Sequence, residues 1–120
     1  MIVNLTPHPI RLYPVDAPDI IDIGEQGPYR IDEIPPDGKP ARIAMIDLGT
    51  VPLRGCDASV EYVEYGHVDG LPEPESDTWY IVSLPVALAA TYRADLLVPY
   101  REVRNGDGTV VGCRQLARPV

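Results

Sequence analysis

In "NLTPHPI", residues 4–10, Asn4, Thr6 and His8 occupy alternate positions, and Pro7 and Pro9 hold the residues before them in extended backbone. Alternate side chains of an extended chain share a face. The spacing therefore predicts a polar row able to read a ribose, a phosphate or a base edge by hydrogen bonding, with His8 able to change charge near neutral pH. A plainer reading competes with it: prolines guard strand edges against pairing, and such a row can simply face water.

Ser83 stands between an apolar run, "WYIV", and a helical pattern, "LPVALAATYR". A helix start gathers free backbone N–H groups that can hold an anion, although Pro85 removes one of them; the alternative is a cap with no other role. As a nucleophile with His8 or His67 and an aspartate, Ser83 lacks the flanking glycines of a nucleophile elbow. Arg101, Arg104 and Arg114 fall on a final hairpin pattern, with Arg93 at the helix end. They either meet a phosphate-bearing ligand or pair with neighbouring acids such as Glu102 and Asp107.

The 18 acidic residues include Glu73, Glu75 and Asp77 in a proline-rich stretch, and the pairs Asp32/Glu33 and Glu61/Glu64. None shows a spacing that fixes two groups on one rigid element facing a cleft, and His67 reads as a loop residue, so neither a metal nor a cofactor is expected.

The elements that must position these groups read as follows. Residues 2–5 and 10–13 are short strands, followed by a peripheral acidic excursion over 14–28 with one brief strand at Ile20 to Ile23. "PPDGKP" supplies turn chemistry for a hairpin between Tyr29 and Ile46. Residues 59–66 form a strand and 67–77 a surface loop. Trp79 to Val82, a helix over about 84–93 and a return at 95–99 suggest a βαβ unit, with an antiparallel return as the alternative. "YREVR", "NGDG" and "TVVGCRQL" make the clearest hairpin.

At 120 residues one core is expected, so residues 1–120 are read as a single compact α+β domain. Its sheet is expected to be mostly antiparallel, of about six or seven strands, with one main helix packed on it through Val86, Leu88, Ala89 and Ala90. The chain has 14 prolines, 10 glycines, seven tyrosines and no phenylalanine, a β-rich and turn-rich composition. A net charge of −8 disfavours duplex nucleic acid. The longest apolar stretch is too short for a membrane span, and the N-terminus lacks a signal-peptide pattern, so a soluble cytoplasmic protein is expected. Cys56 and Cys113 have no metal-like spacing and read as free thiols.

"NLTPH", "YIVS" and "VRNGDGTVVGCRQL" together resemble a group of small proteins of bacteriophages and of bacterial, especially actinobacterial, prophages. The likeness spans most of the chain, its closing pattern falling on Arg104, Gly106, Gly108, Gly112, Cys113 and Arg114. It implies a setting in the host cytoplasm and two roles, binding a host defence signal or binding a host protein. With the residues, it gives three expectations. The first is a non-enzymatic binder of a small anionic, nucleotide-like ligand at Asn4, Thr6, His8 and Ser83, with Arg101, Arg104 or Arg114 as counter-charge. The second is an acidic module that contacts a host protein through an edge strand or the "GLPEPESD" loop. The third is a hydrolase acting on the same ligand through His8.

Overall fold

The computed structural model describes residues 1–22, 29 and 31–120. Its strands are β1 (Ile2–Asn4), β2 (Ile10–Leu12), β3 (Asp32–Ile34), β4 (Arg42–Pro52), β5 (Ser59–Asp69), β6 (Trp79–Ile81), β7 (Leu96–Arg104) and β8 (Val110–Ala117), with one helix, α1 (Leu84–Ala89). Six strands form a sheet in the order β1-β6-β7-β8-β2-β3, while β4 and β5 pair only with each other.

Among the described residues the chain is thus mostly β with one short helix, but the larger sheet is mixed rather than mostly antiparallel. β1 with β6, β6 with β7 and β2 with β8 run parallel, and only β7 with β8 and β2 with β3 run antiparallel. The Trp79–Pro99 segment returns parallel, so it is a βαβ crossover. The two outer strands also approach each other. Asn4 bridges Pro36 just beyond β3, and the Asp37 N–H donates to the Asn4 carbonyl at 2.8 Å. The sheet therefore closes nearly into a barrel, which satisfies backbone groups that an open edge would leave free.

The hairpin expected between Tyr29 and Ile46 does not form. Gly38 takes the turn, with φ +71°, but β3 pairs with β2 and β4 with β5. Pro35, Pro36 and Pro40 have no N–H to donate, so the two arms of this turn cannot ladder with each other. Over its described residues, 14–22, the excursion is not peripheral either, while 23–28 lie outside the described residues. Ala17 and Ile21 are buried with Tyr13 and Val103 in a second, smaller core, and the Ile21 N–H donates to the Arg104 carbonyl at 2.8 Å while the Arg104 N–H donates to the Asp19 carbonyl at 2.9 Å. The Ile20–Ile23 strand is only a bridge at Ile20, and Ile23 lies outside the described residues.

The helix spans six residues, not ten. Val86, Ala87 and Ala90 are buried against Tyr80, Val82 and Leu96, whereas Leu88 and Ala89 face outward. Positions 86 and 90 stack one turn apart, and 88 and 89 fall on the far side of the helix. Beyond Ala90 the Arg93 guanidinium turns inward: it pairs with Asp95 at 2.8 Å, donates to the Pro72 carbonyl at 2.7 Å and lies 5.8 Å from the centre of the Tyr80 ring. Its neighbours push the chain away from helix, since a short helix gains too few backbone bonds to resist them.

β4 and β5 form an arm. Ile43 and Val68 at its base pack on the main core, but the strands run 11 residues each, about 35 Å. The radius of gyration is 17.9 Å, against about 13–14 Å for a compact chain of this length. The expectation of a compact domain fails because of this arm. His67, expected in a loop, lies in β5 beside Asp69.

Candidate functional site

The Asn4–Thr6–His8 row does not project as one face. Asn4 is buried, and its amide donates to the carbonyls of His8 at 2.8 Å and Ile34 at 3.0 Å, while its Oδ1 accepts the Thr6 N–H at 2.9 Å. The Thr6 hydroxyl lies 2.6 Å from Asn4 Oδ1 and 2.9 Å from the His8 carbonyl, and its single proton serves one of them at a time. Asn4 and Thr6 therefore hold a turn. That turn carries the His8 side chain outward onto a cleft of about 270 Å³ that Arg11, Pro99, Glu102 and Gly112 also line.

The arginines divide in the same way. Arg104 crosses its own hairpin, pairing with Glu102 at 2.9 Å and donating to the Gly108 carbonyl at 2.7 Å. Arg114 is mostly buried and clasps the excursion through the Ala17 carbonyl and the Asp19 carboxylate. Arg101 differs: it is exposed, makes no ion pair among the described residues, and lies 5.9 Å from the centre of the Tyr100 ring. Its φ of +56° within β7 is a conformation that side-chain-bearing residues adopt at a cost.

Ser83 has extended backbone before α1, and its side chain makes no cap hydrogen bond. A six-residue helix has few aligned peptides, so the anion attraction expected of its start is weak. The hydroxyl is instead free on a cleft of about 510 Å³, which Val98, Tyr100, Glu102, Ala117 and Arg118 help to line. β7 supplies Val98, Tyr100 and Glu102 from alternate positions, and Arg118 follows the end of β8. Pro99 and Glu102 line both clefts, so the His8 cleft adjoins the Ser83 cleft.

Sequence reasoning missed Tyr100 and Arg118. The available signal was a tyrosine beside an arginine on a strand, and an arginine just past the last strand pattern; nothing in the spacing brought either to Ser83. Arg118 makes no ion pair among the described residues, in a chain that carries a net charge of −8. Together the larger cleft offers a half-exposed aromatic face, a free hydroxyl and a guanidinium.

Among the described residues no group of three or more His, Cys, Asp or Glu side chains could hold a metal ion, and no helix is long and apolar enough to cross a membrane. Glu61 and Glu64 lie three apart on β5, on opposite faces, with Glu61 accepting from the Thr50 hydroxyl at 2.6 Å. Cys113 is buried, which pushes its thiol above the ordinary range, and Cys56 is exposed; both are free. No family model, curated protein or solved structure matches the chain.

Proposed function

We propose that the protein is a non-enzymatic binder of a small anionic ligand with a flat, nucleotide-like body. The observation that supports this is the convergence of Ser83, Tyr100 and Arg118 on one cleft of about 510 Å³, within the usual range for small-molecule sites of about 300–1,000 Å³. Tyr100 offers a stacking surface, the Ser83 hydroxyl can donate to a phosphate oxygen, and Arg118 supplies a planar pair of donors with charge. Arg101 adds a second cation at the Tyr100 ring. His8, from the adjoining cleft, reaches the part of the ligand that extends past Pro99 and Glu102. The resemblance to small phage proteins makes a host defence signal the natural class of ligand, which the protein would sequester in the host cytoplasm.

The test incubates the protein with a panel of nucleotides, denatures it and identifies what it retained. A binder returns the ligand unchanged over a time course, whereas conversion favours the hydrolase reading through His8. Ser83→Ala and Arg118→Ala should each weaken binding by about tenfold, the loss of one charge-assisted contact; unchanged affinity in both removes the assignment.

A further inference from the structure

Beyond its base, the β4–β5 arm has no covering layer among the described residues. Met45, Ile46, Leu48, Val51, Val60, Tyr62 and Tyr65 are 36–68% exposed along it. The register sets Met45 against Tyr65 on one face, and Val51 against Val60 with Ile46 against Glu64 on the other. A two-stranded ribbon is marginal in water without a third strand or a packed face.

The two edges of the arm differ. On β4 the register shifts between Asp47 and Gly49, Gly49 has φ +140°, and Pro52 ends the strand. Bulges and prolines of this kind block edge pairing. On β5, residues 59–65 read "SVEYVEY", with no proline, glycine or lysine; the extra residue of the Asp47–Gly49 shift lies on β4, opposite Val63 and Tyr62, and that of the Ile43–Met45 shift lies on β5 beyond this stretch, at residues 66–67. Residues 59–65 thus leave an edge unpaired among the described residues, guarded by Glu61 and Glu64.

We infer that β5 pairs antiparallel with β5 of a second copy, joining the two arms into one four-stranded sheet. Two-fold pairing that keeps like faces together centres on a residue, and the charges select which. Centring on Glu61 or Glu64 sets carboxylate against its own copy, which is destabilising. Centring on Tyr62 sets Glu64 against Val60 and Glu61 against Val63, leaving both carboxylates beside apolar side chains. Centring on Val63 sets Glu64 against Tyr62 and Glu61 against Tyr65, so that each acid meets a phenol donor, twice over. The same acids oppose in-register parallel stacking, where each glutamate would face itself, so the contact closes as a pair and does not propagate into a filament. The net charge of −8 repels two copies at long range, but this is screened over about 8 Å at physiological salt.

The test uses the full chain in a Cys56→Ser background, which removes the exposed thiol of the arm. Val63→Cys places a cysteine directly opposite its own copy, where antiparallel Cα atoms stand about 4.5–5.5 Å apart, within disulfide reach. Tyr65→Cys places the two thiols four residues apart along the strands, about 13 Å. The expected result is a two-copy mass by light scattering for the wild-type chain, rapid oxidation of Val63→Cys to a covalent pair, and none for Tyr65→Cys. A single-copy mass at the highest workable concentration, failure of Val63→Cys to cross-link, or equal cross-linking of Tyr65→Cys overturns the inference. A single-copy chain that binds a basic foreign protein through the arm also overturns it, in favour of that partner.

Discussion

Asn4, at the end of β1, donates its side-chain amide to the Ile34 carbonyl of β3 at 3.0 Å, joining the two outer strands of the six-stranded sheet. The same amide holds the His8 carbonyl, so one buried side chain closes the sheet and sets the turn that presents His8.

Asn4→Asp is expected to destabilise the fold by about 3 kcal/mol or more, because it sets oxygen against two carbonyl oxygens with almost no change in shape. Urea unfolding measures this as a lower midpoint at unchanged slope. A wild-type midpoint would mean that Asn4 does not close the sheet.

Gly112 of β8 has no room for a side chain. A Cβ there would stand 2.7 Å from the Arg11 carbonyl oxygen and crowd the Tyr13 ring. The ring could move but the backbone of β2 could not, so Gly112→Ala should cost about 1–3 kcal/mol, read as a fall in thermal midpoint. The substitution should also disturb the cleft that Gly112 shares with His8.

Asp95 is held below the ordinary carboxylate range first by its hydrogen bond from Arg93, against desolvation, which acts in the other direction. A depressed carboxylate contributes stability that is present above its unfolded value of about 3.9 and is lost as pH falls through its lower folded value. Asp95→Asn should therefore cost about 2 kcal/mol near neutral pH, and the gap to wild type should narrow below about pH 4. A gap that stays constant down to acid unfolding would show that the pair carries no such linkage.

The two thiols should behave differently towards a maleimide on the native chain. Cys56 is exposed and should label quickly, whereas Cys113 is buried with its thiol pushed up and should label only after denaturation. Labelling at both sites in the native state would contradict the packing of β8 against β2.

Local signals made several elements legible. The "NGDG" turn forms as read: Asn105 accepts the N–H groups of Asp107 and Thr109, and Gly108 takes φ +84°. The apolar run before Ser83 is a strand, and a helix follows it. Those outcomes depend on neighbours in the chain, where turn chemistry and apolar patterning act directly.

Pairing between distant segments was not legible. Asn4, Thr6 and His8 have the spacing of a recognition row, yet Asn4 turns inward because Ile34, thirty residues away, presents a carbonyl to it. Arg114 looked available but clasps the excursion at Ala17 and Asp19, ninety-odd residues away in the chain. Tyr100 and Arg118 joined Ser83 only because β7 and β8 lie side by side with α1 at their end. The sequence by itself determined where the final hairpin turn, the strand before Ser83 and the helix start would fall, since short-range sterics and hydrogen bonding decide those. Tertiary structure alone decided which polar groups would be spent inside and which left free, because a buried donor or acceptor takes whichever partner the closed sheet brings to it.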